Sequence, residues 1–214
     1  MKRVVVLTLI LAMAGFAYAD RLVDPSAYSL TYEPIGSGSG PRDPIGWSNI
    51  DQTGNISGIQ GTNTIVGYED YQSSTAVWGS GPTFTLTTFK FIGGVSAPNQ
   101  VVFFNFYDSA TTPDGLSYYL YIGAQFPNAG NYIWTLNLST PQTVDTNGFI
   151  EFDANDYGYG VPTLTIFEDD SGPSVGTSAA APNDPYTCSF EFQGTPEPAS
   201  VLLLGLAGLL IRRR

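Results

Sequence analysis

The sequence predicts an all-β protein: a single β-sandwich or jelly-roll-like domain, flanked by an N-terminal signal helix and a short C-terminal transmembrane helix. Three observations support this fold class. The stretch from Thr83 to Phe91 alternates apolar and polar residues for most of its length, which is the period of a half-buried strand. Other short segments rich in Val, Ile, Thr, Tyr and Phe are separated by turn residues. Between the two termini, no segment shows the 3.6-residue period of a helix.

The elements follow in chain order. Weaker strands are predicted first, at Ser29 to Tyr32, Ile45 to Ile50 and Thr64 to Tyr68. Stronger strands are predicted at Thr83 to Phe91, Val101 to Tyr107, Tyr118 to Ile122, Tyr132 to Leu138, Phe149 to Phe152, Leu164 to Phe167 and Thr187 to Phe192. Because Gly, Asn, Asp and Pro favour turn geometries, turns are predicted at Gly93-Gly94, Pro113-Asp114-Gly115, Asn128-Ala129-Gly130, Asn147-Gly148 and Asp170-Ser171-Gly172-Pro173.

Residues 1–19 have the organisation of a secretory signal peptide. Met1-Lys2-Arg3 is basic, Val4 to Ala14 is almost entirely apolar, and Ala17-Tyr18-Ala19 supplies the small residues of a cleavage site. We therefore expect export through the Sec machinery, and cleavage by signal peptidase between Ala19 and Asp20. The exported domain then comprises residues 20–194.

Residues 195–214 have three parts in a fixed order. Pro196-Glu197-Pro198 comes first, an apolar segment spans 199–211, and Arg212, Arg213 and Arg214 end the chain. As a helix, the apolar segment covers roughly 20 Å, whereas a hydrocarbon core is about 30 Å thick. The arginines favour the cytoplasmic side. We expect transient anchorage in the inner membrane, with the body outside.

This order of motif, apolar segment and arginines resembles the PEP-CTERM sorting signal of Gram-negative bacteria. The resemblance implies that the tail is the substrate of an exosortase, an integral-membrane cysteine protease or transpeptidase. Such enzymes tend to accompany exopolysaccharide production. The resemblance covers about 20 residues and concerns the handling of the protein, not an activity of its body. A plain tail anchor is the alternative.

Charge and residue usage exclude several function classes. The domain has three basic residues, Arg21, Arg42 and Lys90, against eighteen acidic ones, so its net charge is near −15. This excludes nucleic acid as a partner, because phosphate binding needs Lys and Arg. There is no His, and Cys188 is the only cysteine. These absences exclude an intrachain disulfide, a Cys/His zinc site and a Ser-His-Asp triad. We expect Cys188 to occupy a buried strand position.

The carboxylates offer two candidate chemistries. Glu151 and Asp153 share one strand face by their i, i+2 spacing, and we expect that face to be solvated. Asp153, Asn155 and Asp156 place oxygen ligands around a glycine, as calcium loops do, which makes them candidates for a structural calcium site. A plain Asx turn is the interpretation that we favour for the same residues. No other cofactor is expected.

Aromatic side chains suggest a sugar-binding surface. Tyr157 and Tyr159 flank a glycine in a loop, and together with Trp47 they are candidates for stacking on sugar rings. The alternative is that such bulky side chains belong to the core.

The sequence as a whole predicts a non-enzymatic exported protein that is sorted by an exosortase to the cell surface or to an extracellular exopolysaccharide matrix. There it would be a structural or adhesive component. Two alternatives stay open: a carbohydrate-binding module, and a glycoside hydrolase that works with carboxylates alone.

Overall fold

The computed structural model describes residues 25–36, 44–50, 56–78, 81–107, 120–177 and 187–196. Its strands are β1 (Tyr28–Glu33), β2 (Ile45–Ser48), β3 (Ile56–Thr62), β4 (Ile65–Gln72), β5 (Thr83–Val95), β6 (Gln100–Tyr107), β7 (Leu120–Phe126), β8 (Gly130–Asp145), β9 (Asn147–Asp153), β10 (Thr163–Asp169), β11 (Thr187–Cys188) and β12 (Phe190–Pro196). A 3₁₀ turn at Pro25–Ala27 precedes β1, and a short helix, α1 (Thr75–Trp78), follows β4. The described residues are predominantly β, which confirms the all-β prediction.

The strands form two antiparallel sheets. The large sheet has the order β1-β8-β5-β10-β11, with β3 paired to β10 and β12 paired to both β5 and β2. The small sheet has the order β4-β9-β6-β7. Strand β5 is central to the large sheet, because β8 follows one of its edges while β12 and then β10 follow the other.

Gly93-Gly94 lies inside β5, so the prediction of a turn there is wrong. Neighbouring backbone explains these two glycines. A Cβ atom on Gly94 would lie 1.7 Å from the carbonyl oxygen of Gly130, and one on Gly93 would lie 2.2 Å from that of Thr165. Both glycines therefore permit close approach between strands rather than a reversal of the chain.

The turn predicted at Asn147-Gly148 is also wrong, since both residues belong to β9. The chain instead changes sheets around Thr146, between β8 of the large sheet and β9 of the small sheet. Strand β3 was not predicted from the sequence. It carries two glycines, has mostly exposed residues and pairs only with β10 among the named strands, so its apolar alternation is weak.

One hydrophobic core takes its residues from both sheets. Phe89 of β5 meets Phe104 of β6 with ring centroids 4.8 Å apart, and Phe126 of β7 meets Trp134 of β8 at 4.7 Å. Edge-to-face aromatic pairs of this kind stabilise a core beyond the area that they bury. Cys188 is buried in β11, as the sequence predicts.

The last described strand reaches the predicted sorting motif. Strand β12 ends at Pro196, which pairs with Phe84 of β5 and lies two residues past the predicted domain end at residue 194. Glu197, Pro198, the apolar segment 199–211 and the three arginines lie outside the described residues, as do Ala19 and Asp20. Within the described ranges, no helix has the length and apolar character needed to cross a membrane.

Candidate functional site

Polar side chains occupy the face of the small sheet that points away from the core. In β6 the side chains of Phe104 and Phe106 enter the core, so Asn105 and Tyr107 point to the other face. In β9 the same alternation places Glu151 and Asp153 on that outer face. Strand register then sets Asn105 directly opposite Glu151.

The two carboxylates are buried, which corrects the expectation of a solvated strand face. Glu151 retains 5% of its possible exposure and Asp153 retains 1%. The i, i+2 spacing assigned them correctly to one face, but it carried no information about what covers that face. Burying a carboxylate is costly unless strong hydrogen bonds compensate for the lost water.

A single amide bridges the two carboxylates. Asn105 Nδ2 donates to Glu151 Oε1 at 2.6 Å and to Asp153 Oδ2 at 3.1 Å. Two phenols add further donors: Tyr107 donates to Glu151 Oε2 at 3.1 Å, and Tyr157 donates to Asp153 Oδ2 at 2.7 Å. Hydrogen bonds to ionised acceptors are about twice as strong as neutral ones. We call these five residues the small-sheet carboxylate centre.

Burial raises the pKa of the Tyr107 phenol well above its ordinary value. The negative charge of Glu151 and the hydrogen bond to it raise this pKa further. Both causes disfavour the phenolate, because a second negative charge would be placed beside the first in a poorly solvated site. Tyr107 therefore stays protonated at neutral pH and serves as a donor.

Asn105 carries an unsatisfied atom in this centre. Its side chain is buried, and its Oδ1 atom has no hydrogen-bond donor. Sequence reasoning missed this residue. The signal that could have revealed it is one amide within the apolar run Val101 to Tyr107, since a polar residue inside a buried strand needs polar partners.

The predicted calcium residues are divided between two turns. Asp153 Oδ1 accepts hydrogen bonds from the backbone N–H and the side-chain amide of Asn155, both at 2.8 Å. Asp156 is exposed, and its Oδ1 accepts from the N–H groups of Gly158 and Gly160 at 2.7 Å and 3.2 Å. Both are Asx turns, the interpretation that the sequence favours. The described residues contain no group of three or more His, Cys, Asp or Glu side chains suited to a metal ion.

Trp47 does not have the exposed ring predicted for sugar stacking. It is fully buried, with its ring stacked on Phe190 at a centroid distance of 3.9 Å, so the core alternative holds for this residue. Tyr157 is half-buried, and its ring meets Phe103 edge-on at 5.1 Å. Tyr159 keeps 37% of its exposure and is the one of the three with an exposed ring.

The outer face of the large sheet holds another buried carboxylate. Glu191 of β12 is fully buried, and its Oε1 lies 3.8 Å from Lys90 Nζ of β5. Ser48 donates to Glu191 Oε2 at 2.9 Å, and Gln193 Nε2 donates to Oε1. We call these four residues the large-sheet carboxylate centre. Lys90 is the only Lys or Arg within the described part of the chain.

No protein-family model, curated protein or solved structure matches this chain. The resemblance to the PEP-CTERM sorting signal therefore rests on the residues of the tail, and the role of the body rests on its own geometry.

Proposed function

We propose that this chain is a non-enzymatic exported protein with a β-sandwich body, sorted by an exosortase to the cell surface or to an exopolysaccharide matrix. The observation that carries the proposal is the order of Pro196-Glu197-Pro198, apolar segment and three arginines, paired with a signal peptide at the other end. The partners that this requires are signal peptidase, the Sec machinery, the exosortase and, transiently, the inner membrane.

The position of the last strand supports the division of the chain into a β-sheet body and a C-terminal sorting signal. Strand β12 terminates at the first residue of the proline motif. Removal of the residues beyond Pro196 by a processing enzyme would leave every described strand intact. The sandwich assignment is supported by the single core to which both sheets contribute.

A structural or adhesive role is supported by the acidic balance of the domain, which favours solubility and attraction for cations. For the carbohydrate-binding alternative, Tyr159 remains a candidate for stacking on a sugar because its ring is exposed, whereas Trp47 is no longer a candidate because it is buried. The hydrolase alternative draws no support from Glu151 and Asp153. They lie on the same strand, and the Asn105 amide occupies the space between them where a glycosidic oxygen would have to sit.

Variants of the tail test the sorting proposal in a Gram-negative host that carries an exosortase. We expect Glu197→Ala to accumulate in the inner-membrane fraction with its full C-terminus, while the wild type reaches the surface or the medium in a shortened form. Asp156→Ala, an exposed acid in the body, is the matched control and should be sorted like the wild type. Unchanged sorting and processing of the Glu197→Ala and Arg212→Ala/Arg213→Ala/Arg214→Ala variants would contradict the proposal and leave the tail-anchor alternative.

A further inference from the structure

A surface pocket lies where the end of β4 meets the segment that follows β10. Its volume is about 330 Å³, and its described walls come from residues 72–76 and 176–177. The two walls are joined by backbone hydrogen bonds: Gln72 N–H donates to Thr177 O at 2.8 Å, and Thr177 N–H donates to Gln72 O at 2.9 Å. This volume is near the lower end of the range for small-molecule sites. The pocket therefore has room for one small ligand.

Gly176 fixes the shape of one wall. Its φ of 83° is in the left-handed region, and a Cβ atom here would lie 2.6 Å from Gln72 O and 2.7 Å from Trp47 Cδ1. Trp47 is fully buried, and its Nε1 donates to Thr177 O at 3.3 Å. The wall at residues 176–177 thus rests directly on the core. A ligand would meet a wall that is already in place, which lowers the entropic cost of binding.

The lining of the pocket is polar but uncharged. Five of its seven described residues carry a hydroxyl or an amide group, namely Gln72, Ser73, Ser74, Thr75 and Thr177. The other two are Ala76 and Gly176, so no described lining residue is charged or aromatic. Hydroxyl and amide groups both donate and accept hydrogen bonds. The lining therefore complements a neutral ligand rich in hydroxyls, and it offers no partner to a charged group.

Ser73 has a buried polar atom that is available to such a ligand. The residue is 3% exposed, and its Oγ has no hydrogen-bond partner in the described part of the chain. Nearly all buried polar groups in folded proteins are bonded, so an exception needs an explanation. Because this Oγ makes no hydrogen bond, rotation about χ1 can turn it toward a ligand without breaking one. The N–H of the same residue donates to Thr146 O at 2.7 Å, which fixes the backbone at the pocket wall.

We infer that this pocket binds a neutral sugar ring of a glycan, with Ser73 Oγ as the hydrogen-bond partner of one of its hydroxyls. A neutral sugar carries several hydroxyls and no charge, which matches the lining. The net charge of the domain, near −15, disfavours acidic sugars such as uronates. The site shares no residue with the aromatic surface predicted from Trp47, Tyr157 and Tyr159. It does not rest on the sorting proposal, because sorting depends on the tail and the pocket lies in the body.

Saturation-transfer NMR of the purified protein provides the test. The probes are D-glucose, D-galactose, D-mannose and N-acetyl-D-glucosamine at millimolar concentration, with D-glucuronate as the charged comparison. We expect saturation transfer to at least one of the neutral sugars and weaker transfer to D-glucuronate. Ser73→Ala should lower the affinity for that sugar about tenfold, the change that loss of one hydrogen bond produces. Absence of transfer to all four neutral sugars, or strongest transfer to D-glucuronate, would overturn the inference.

The thermal stability of Ser73→Ala provides a separate readout. Without sugar, its Tm should equal or exceed that of the wild type, because the variant loses a polar atom that is buried without a partner. A clear fall in Tm would show that Ser73 Oγ already has a partner in the protein, and this result would also overturn the inference.

Ala76→Phe tests the pocket without removing a polar group. Ala76 is exposed in α1 and lines the pocket, so a larger side chain should fill the space of the sugar with little change in Tm. We expect sugar binding to be lost. Ser29→Ala is the control, since Ser29 is an exposed serine of β1 outside the lining, and this variant should bind like the wild type. Unchanged binding in both Ser73→Ala and Ala76→Phe, or loss of binding in Ser29→Ala, would contradict the assignment of the site.

Discussion

The two buried carboxylate centres differ in how the negative charge of their acids is compensated. In the large-sheet carboxylate centre, Glu191 faces the ammonium of Lys90, so a positive charge from the chain itself lies beside the carboxylate. In the small-sheet carboxylate centre, Glu151 and Asp153 sit together, and the hydrogen bonds that hold them come from one amide and two phenols. The first is an ion pair fixed by strand register, while the second is a pair of acids held by neutral hydrogen-bond donors.

Burial of an acid does not by itself indicate a functional site. Glu191 is the more deeply buried residue, but its neighbours give it a structural role. The acids of the small sheet are distinguished by the unsatisfied oxygen of Asn105, which the large-sheet centre does not share. The following substitutions should separate the two centres.

Lys90→Met should have the largest effect. Removing one partner of a buried ion pair leaves the other charge in a poorly solvated place, which costs about 3–5 kcal/mol. Urea unfolding should show this loss. The double variant Lys90→Met/Glu191→Gln is the control, and we expect it to recover most of the stability because both charges are gone while an amide oxygen still accepts from Ser48. A loss below about 1 kcal/mol for Lys90→Met would show that the pair is not the structural ion pair described above.

Asn105→Leu should rank second. The substitution removes two charge-assisted hydrogen bonds, each worth about 1.5–3 kcal/mol, but it also removes an unsatisfied oxygen, so we expect a net loss of about 2 kcal/mol. Urea unfolding gives the value. If Asn105→Leu is as stable as the wild type, the amide does not hold the two carboxylates in the way the geometry indicates.

Tyr107→Phe and Tyr157→Phe compare the two phenols of the same centre. Each deletes one hydrogen bond to a carboxylate, and Tyr107 is more buried than Tyr157. We expect a loss of about 2 kcal/mol for Tyr107→Phe and about 1 kcal/mol for Tyr157→Phe, because water replaces the lost hydrogen bond more readily at the less buried Tyr157. Chemical denaturation of both variants measures the difference. A larger loss for Tyr157→Phe than for Tyr107→Phe would show that the hydrogen bond to Asp153 is the stronger of the two.

Asp156→Ala should have the smallest effect. This exposed acid holds two loop N–H groups that water can reach, so we expect a loss below about 1 kcal/mol. Urea unfolding measures this loss, and a loss above about 2 kcal/mol would show that water does not reach the two N–H groups as readily as the exposure of Asp156 indicates.

Strand positions could be predicted because alternation and β-branched or aromatic composition are local signals, as at Thr83–Val95 and Gln100–Tyr107. The turn predicted at Gly93-Gly94 is wrong because the sequence alone does not distinguish a glycine required by close approach of a neighbouring strand from a glycine in a turn. The pairing of Lys90 with Glu191 joins residues 101 positions apart, which no local pattern encodes. The shared face of Glu151 and Asp153 was predictable, but their burial and the role of Asn105 depend on the fold.

Whether neutral donors hold the buried acids of the small-sheet carboxylate centre is tested most directly by a high-resolution crystal structure of the protein. We predict that Asn105 Nδ2 donates to Glu151 Oε1 at 2.6 Å and to Asp153 Oδ2 at 3.1 Å, with the Tyr107 and Tyr157 hydroxyls on the same two carboxylates. A map in which the Asn105 amide contacts neither carboxylate would contradict this arrangement.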